Sequence, residues 1–287
     1  MSGLNESNLK IAKTIKLFIG GDFPRTESGR SLPLYAFKSK NIYAHICRAS
    51  RKDLRNSVTA AQTALPGWQG RSAYNRSQVL YRMAEMLEAR RSEFMETMMA
   101  TLGFTKVNAN KSVDESIDAF IYFAGFADKY QQVLGSVNPV SGPHHNFTST
   151  EAVGVVGLVS DKKFNLASLV SQIAAIIASG NVLIALMSFE GSALLAPLAE
   201  VLATSDLPKG VVNLLTGDLD ELSPQFATHM EIQSLSCQTK DKTILGAFKS
   251  AAATNMKRIV PPVKKDLSLE HLMSYVEFKT VWHPIGN

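Results

Sequence analysis

The sequence predicts an α/β protein built on a doubly wound parallel sheet, with a β-hairpin and a C-terminal strand outside that sheet. From Glu151 onward, short apolar runs alternate with amphipathic segments of helical period, which predicts right-handed βαβ units. The first run, residues 153–159, consists of Val, Gly and Leu and is typical of a strand buried on both faces. Residues 131–150 are instead punctuated by Gly, Pro, Ser, Asn and Thr, which indicates a hairpin arm.

The part of the chain before the arm is predicted to begin with strands and to continue as helices. Residues 16–47 are turn-rich and alternating, so we expect short strands there. Ser50 and Asp53 have the spacing of a capping box, and apolar residues follow at helical intervals until Pro66-Gly67, where we expect the helix to stop.

Two more helices are expected before the arm. The first starts between Ser72 and Ser77 and carries an apolar stripe that continues to Phe94. A second capping box, from Ser112 to Glu115, predicts the start of a helix that reaches about residue 130.

The alternation after the arm defines the sheet. The predicted order is strand 153–159, helix 167–178, strand 182–186, helix 192–204, strand 211–215, helix 219–228, strand 232–236, helix 241–253 and strand 257–260. After Pro261-Pro262, residues 274–282 read as one further strand with no helix behind it. A lone terminal strand needs a partner, which is either the hairpin or another chain.

Composition narrows the classes of function. Of the 287 residues, 45% are hydrophobic, enough for a substantial core, and the net charge is +5. The basic residues cluster only in pairs, so we expect no nucleic-acid binding. The most apolar late window, 173–187, is interrupted by Ser179-Gly180-Asn181, so we expect no membrane span. Two distant cysteines, Cys47 and Cys237, favour a reducing compartment, and the predicted location is the cytoplasm.

Several segments, in this order, resemble the aldehyde dehydrogenase superfamily. They are FIGGDF, the helical stretch ASRKDLRN to RRSEF, YFAGFADK, EAVGVVGLV, IAAIIASGN, DLPKGVVNLLTG and SYVEFKTV. The resemblance covers about 16–260 and 274–282. It implies a Rossmann-like cofactor domain over 1–130 and 151–262, and an oligomerisation arm from 131–150 and 270–287. The family's catalytic domain is expected to be missing, because Val260 is followed almost directly by the terminal strand.

The positions that carry chemistry in the family are replaced here. A Trp-Asn-Phe-Pro turn, whose Asn helps form the oxyanion hole, matches residues 162–165, which read KKFN. A Lys-Pro-Ser-Glu segment that holds the adenosine ribose matches 186–189, reading LMSF, with Glu190 one residue late. The Phe-Thr-Gly-Ser-Thr segment under the cofactor phosphates matches 237–241, and the general-base Glu falls at Pro262. The glycine-rich turn that carries the nucleophilic cysteine has no counterpart.

These replacements predict a protein without catalytic residues. Oxidation of an aldehyde through a thioester needs a thiolate, a base and donors for the oxyanion. What remains is a vestigial pocket made of Ser160, Lys162, Lys163, Ser188, Glu190 and Lys240. We expect no bound cofactor, with NAD(P) as the alternative. The three lysines either bind another anion or simply fill a vacated crevice, and the second interpretation is favoured because no glycine-rich loop accompanies them.

Two isolated features have simple interpretations. Cys237 is expected to pack as a small hydrophobic residue rather than act as a substitute nucleophile. His144 and His145 are adjacent and lack further ligands, so we expect them to be exposed and no metal to be bound.

The arm carries the predicted function. Its expected association residues are Tyr275, Glu277, Lys279, Thr280 and Val281. The chain resembles the cysteine-less second region of two-region family members. We therefore predict a non-catalytic subunit that pairs with itself or with an active aldehyde dehydrogenase. The alternatives are an oxidoreductase that still binds NAD(P), and a truncated gene product without function.

Overall fold

The computed structural model describes residues 12–239, 241–262 and 267–286. Three strands come first: β1 (Lys13–Ile15), β2 (Ser31–Tyr35) and β3 (Ile42–Cys47), with β3 in the middle of a small sheet. Four helices follow: α1 (Arg51–Gln69), α2 (Ala73–Ala89), α3 (Arg91–Leu102) and α4 (Lys106–Phe126). The chain then enters the arm through α5 (Tyr130–Leu134). The expected change from short strands to helices before the arm is confirmed.

The central sheet is parallel and doubly wound, as predicted. The arm strands β4 (Ser136–Asn138) and β5 (His144–Ala152) precede it in the chain. The strands of the central sheet and the helices between them are, in chain order, β6 (Val155–Val159), α6 (Leu166–Ala178), β7 (Val182–Met187), α7 (Leu195–Ala203), β8 (Val212–Thr216), α8 (Leu219–Thr228), β9 (Ser234–Cys237), α9 (Lys242–Asn255) and β10 (Arg258–Val260). The strand order is β10-β9-β6-β7-β8. Because the chain leaves β6 towards β7 and later returns on the other side at β9, the order reverses between β6 and β9.

Burial explains why these segments form these elements. All five residues of β6 and all six of β7 are buried, in agreement with their continuous apolar runs. Helix α6 is also buried almost all round, because it lies between the sheet and an outer layer that contains α2 and α4. Among the described residues, no helix combines the length and apolar character needed to cross a bilayer.

The C-terminal strand pairs with the arm of its own chain. After α10 (Leu269–Met273), β11 (Val276–Pro284) runs antiparallel to β5, from the pair Val276–Ala152 to the pair Pro284–His144. The order of this second sheet is β11-β5-β4, so β11 is an edge strand within the described part of the chain. Of the two partners expected for this strand, the hairpin is the one observed.

Three expected helix boundaries are wrong. Helix α1 passes through Pro66 to Gln69, because the fully buried Trp68 anchors its last turn by donating from Nε1 to the carbonyl of Ile177 at 3.0 Å. The single helix expected through Phe94 is divided at Arg90 into α2 and α3.

The third boundary concerns the start of α4. The helix begins after Thr105, whose hydroxyl accepts the N–H of Asn108 at 3.2 Å. Ser112 instead lies inside the helix, where its carbonyl accepts the hydroxyl of Ser116 at 2.7 Å. The capping box of α1 is confirmed, since Ser50 and Asp53 exchange both of its hydrogen bonds.

Candidate functional site

The predicted pocket residues that the structure describes lie at the carboxyl edge of the central sheet. Ser160 follows β6 and Ser188 follows β7, so two neighbouring parallel strands deliver them to the same edge. The buried hydroxyl of Ser160 accepts the backbone N–H of Ser188 at 2.7 Å, which ties the two loops together. The Ser188 hydroxyl is buried and has no hydrogen-bond partner among the described residues.

Phe164 and Glu190 make a second connection between these loops. The carboxylate of Glu190 accepts the backbone N–H of Phe164 at 3.0 Å. The Phe164 ring is buried against Gly191, where an added Cβ would lie 1.9 Å from the ring. Only glycine permits this contact without a shift, and the ring fills the space between the loops. The sequence prediction included Glu190 but not its partnership with Phe164, whose only signal was an apolar residue among lysines.

The predicted lysines do not form an anion-binding cradle within the described residues. Lys162 and Lys163 are exposed, and the ammonium of Lys162 lies 3.9 Å from the carboxylate of Asp220. Lys240 lies outside the described residues. A surface pair at this distance contributes little.

Three of the helices that start at this edge, α6, α8 and α9, have N-termini capped by side chains, whereas α7 has no side-chain cap. Asn165 caps α6 by accepting from the N–H of Ser168 at 3.0 Å. Asp218 caps α8, and Asp241 caps α9 by accepting from the N–H of Thr243 at 2.8 Å. This last hydrogen bond holds the pKa of Asp241 below its ordinary value, so the cap is ionised at neutral pH. Two carboxylates therefore lie where helix N-termini usually favour phosphate.

Little space is left at the reversal point of the sheet. The cavity at the ends of β6 and β9 measures about 40 Å³ and is lined by residues that include Ser160, Lys163 and Gln238. Pockets for cofactors and drug-sized ligands usually measure about 300–1,000 Å³. Beside it, a more open groove of about 470 Å³ runs between α4 and the loop after β6, where Lys111, Glu115, Asp161 and Lys163 place both signs of charge.

Leu186 and Cys237 belong to the core and not to this edge. Leu186, which matches the family's ribose-binding lysine, is fully buried in β7 opposite Val159. Cys237 is fully buried, and burial raises the pKa of its thiol to about 11. A thiol with that pKa is not a thiolate at neutral pH. The residues present at this edge do not fit a dinucleotide bound in the manner that the resemblance implies.

Four of the five residues predicted for association lie on the surface of the arm. Glu277, Lys279, Thr280 and Val281 lie on the exposed part of β11. Lys279 forms an ion pair with Glu151, and the hydroxyls of Thr280 and Thr148 are 2.9 Å apart. Tyr275 differs from this group, because its side chain is fully buried and its hydroxyl bonds the hydroxyl of Ser236 at 2.9 Å. It packs inside its own chain and is therefore a core residue.

Two aromatic residues of the arm were not among the predicted association residues. Phe278 is 50% exposed and Trp282 is 61% exposed, and both lie on the same face of β11 as Thr280. Their alternation in SYVEFKTVW was the signal available in the sequence. Of the two histidines expected to be exposed, His145 is exposed, whereas His144 is half-buried and its ring centroid lies 5.8 Å from that of Trp282.

Comparison with known proteins identifies the family of this fold. The aldehyde dehydrogenase family model matches residues 25–261. The chain belongs to the aldehyde dehydrogenase family. It is 29% identical over 251 residues to the cytosolic 10-formyltetrahydrofolate dehydrogenase of Pongo abelii, covering 85% of this chain and 28% of that protein. It is 26% identical over 259 residues to aldehyde dehydrogenase, cytosolic 1, of Elephantulus edwardii, covering 88% of this chain and 50% of the relative.

Solved structures of the family agree with the fold. A mutant form of an aldehyde dehydrogenase from Bacillus cereus superposes with a TM-score of 0.81 at 24% identity, covering 88% of this chain and 51% of that one. An NAD-dependent aldehyde dehydrogenase from Sinorhizobium meliloti gives a TM-score of 0.82 at 22% identity, covering 90% and 52%. The chain thus spans about half the length of these aldehyde dehydrogenases and little more than a quarter of the formyltetrahydrofolate enzyme.

Proposed function

We propose that this chain is a non-catalytic member of the aldehyde dehydrogenase family that acts as a structural or accessory subunit. It associates through the sheet β11-β5-β4, either with a second copy of itself or with an active aldehyde dehydrogenase. The observation that carries the proposal is the outer edge of β11, which has no strand partner within the described residues. This nine-residue strand also exposes Phe278 and Trp282.

The state of the arm supports association. A long edge strand with exposed aromatic side chains is a site for strand pairing, and natural proteins usually cover or shorten such edges. Aromatic residues are also enriched among the residues that dominate binding energy at protein interfaces. A partner that adds a strand to β11 would pair the backbone groups of its edge and cover its exposed aromatic side chains.

The state of the carboxyl edge supports the absence of catalysis. Phe164 fills the space between the loops, carboxylates cap two of the helices there, and the Cys237 thiol is buried and protonated. A base, a thiolate and oxyanion donors in one open site are what the chemistry of the family requires. We place the protein in the cytoplasm, because both cysteines are free thiols, which suits a reducing compartment.

The alternative is an oxidoreductase of the family that retains NAD(P) binding. The groove of about 470 Å³ beside the loop after β6 is the feature that favours it. Calorimetric titration with NAD and NADP separates the two proposals. The accessory-subunit proposal predicts no binding at physiological concentrations, whereas saturable binding would support the alternative.

The association itself is tested by sedimentation equilibrium. We expect the unmodified protein to associate alone or when mixed with an active aldehyde dehydrogenase, and the double variant Phe278→Lys/Trp282→Lys to associate about a hundredfold more weakly. Met230→Lys is the matched control, because Met230 is 71% exposed and lies outside the arm. A monomer under both conditions, or equal association of both variants, would refute the proposal.

A further inference from the structure

A polar cavity at the amino edge of the central sheet lies outside the site described above. It measures about 440 Å³ and lies where α2 begins, beside β5 and the turn that precedes β7. Its lining includes Arg71, Arg76, Tyr130, Thr150 and Gly180. The amino edge is the opposite end of the strands from Ser160 and Ser188, so the two sites are separate.

Arg76 brings a buried positive charge to this cavity. It is 5% exposed, and among the described residues no carboxylate forms an ion pair with it. Its Nε donates to the carbonyl of Ala178 at 3.2 Å and its Nη1 to that of Arg71 at 2.6 Å, which fixes the guanidinium at the C-terminus of α6. The carbonyl of Ala178 carries the partial negative charge of the α6 C-terminus and offsets part of the cost of burial, but neither carbonyl supplies a formal negative charge.

Neighbouring groups add to the positive potential. Arg71 is half-buried, and its Nη1 donates to the side-chain oxygen of Asn75 at 2.7 Å, without an acidic partner among the described residues. The N-terminus of α2, a helix of 17 residues, lies at the cavity through Ser72 and places the positive end of its dipole there. The carboxylate that lines the cavity, Glu151, is already paired with Lys279.

The remaining lining is built for a polar ligand. Thr150 is 3% exposed, and its buried hydroxyl has no hydrogen-bond partner within the described residues. A buried hydroxyl without a partner is unfavourable, and a hydrogen bond to a bound group would remove this cost. Tyr130 beside Arg76 stays neutral, because burial raises the pKa of its hydroxyl.

Gly180 lies beside the guanidinium of Arg76. This residue has φ +86°, in the left-handed region, and a Cβ added to it would lie 3.9 Å from Cζ of Arg76. Glycine therefore suits the turn and leaves the space beside the guanidinium free of a side chain.

We propose that this cavity binds a small oxyanion, the phosphate or carboxylate group of a metabolite, between Arg76, Arg71 and the hydroxyl of Thr150. The planar guanidinium fork matches both kinds of oxyanion, and the volume leaves room for a small organic group attached to it. The site does not depend on the accessory-subunit proposal, because it uses no residue of the exposed edge of β11.

The test is thermal unfolding of the full chain with inorganic phosphate or with succinate, at ionic strength held constant with potassium chloride. We expect one of the two anions to raise Tm in a saturable way, which distinguishes phosphate esters from carboxylates as the ligand class. Thr150→Val and Arg71→Gln should each weaken the apparent affinity about tenfold, the effect of losing one charge-assisted hydrogen bond.

Matched controls separate binding from general effects of salt. Arg82→Gln removes the same charge from an exposed position on α2, where Arg82 pairs with Glu85, and should respond as the unmodified protein does. Without added anion, Thr150→Val should be at least as stable as the unmodified protein, because it removes an unpartnered hydroxyl. A response to neither anion, or the same response in all variants, would overturn the proposal.

Discussion

The carboxyl edge of the central sheet and the outer edge of the arm differ in how far their polar groups are hydrogen-bonded within the chain. At the carboxyl edge, Ser160 accepts a hydrogen bond from the loop after β7, Glu190 accepts one from Phe164, and side chains cap α6, α8 and α9. On the arm, the outer edge of β11 has no strand partner among the described residues. This difference supports the proposal that the chain has lost the chemistry of its family and associates through its arm.

The largest expected effect concerns Tyr275, which lies between the buried core and the exposed strand β11. Tyr275→Ala should lower the free energy of unfolding by about 3–5 kcal/mol, the usual cost of removing a large buried aromatic side chain. The cause is that Tyr275 is fully buried and bonds Ser236, although it directly precedes the exposed strand. Urea denaturation followed by circular dichroism measures it.

Tyr275→Phe is the matched control. It keeps the ring and removes only the hydroxyl, so it should cost about 1 kcal/mol. If Tyr275→Ala changed association and left the free energy of unfolding unchanged, Tyr275 would belong to the interface and not to the core.

A second, smaller effect concerns the reactivity of the Cys237 thiol, and it tests whether the carboxyl edge holds a nucleophile. The thiol of Cys237, with its pKa raised from 9.0 to about 11, should react with iodoacetamide at least about a hundredfold more slowly in the folded chain than in the unfolded chain at pH 8. Its rate should keep rising with pH towards 11 instead of levelling near 9. Because the folded-state pKa is the higher one, burial of the thiol stabilises the fold below pH 9, and this contribution is lost as the pH rises through 11.

The measurement uses mass spectrometry of the Cys47→Ala variant, so that Cys237 alone is labelled, with the same variant in guanidinium chloride as the control. Rapid labelling of the folded chain at pH 7 would indicate a thiolate in an accessible site. The interpretation of the carboxyl edge would then fail.

The smallest expected effect concerns a single cap at this edge. Asn165→Ala should lower the free energy of unfolding by about 1 kcal/mol, because the side chain of Asn165 accepts the N–H of Ser168 at the start of α6. Asn165→Asp should leave stability nearly unchanged, since aspartate caps equally well. Urea titrations of both variants give the difference, and equal losses would show that the cap contributes nothing.

The fold could be predicted from the sequence because its signals are local. The buried apolar runs of β6 and β7 and the capping box at Ser50 each act over a few residues. The wrong helix boundaries have non-local causes. Pro66 is tolerated because Trp68 finds a hydrogen-bond partner 109 residues away, and that contact leaves no trace in the local pattern.

The site was only partly predictable for the same reason. Ser160, Ser188 and Glu190 were predicted to share a pocket because they match family segments, and the structure joins the two loops that carry them. The partnership of Phe164 with Gly191 and the burial of Tyr275 depend on how distant segments pack. The exposure of Phe278 and Trp282 depends on whether the rest of the chain covers β11, which the alternation of residue types cannot decide.

The most direct test of the central claim is native mass spectrometry of the protein purified by affinity from its own cells. We predict a complex of fixed ratio, either a homodimer or a pair with an active aldehyde dehydrogenase, that carries no nucleotide and is lost in the Phe278→Lys/Trp282→Lys variant. A monomer, or a species that carries the mass of NAD or NADP, would contradict the account of a non-catalytic subunit that works through its arm.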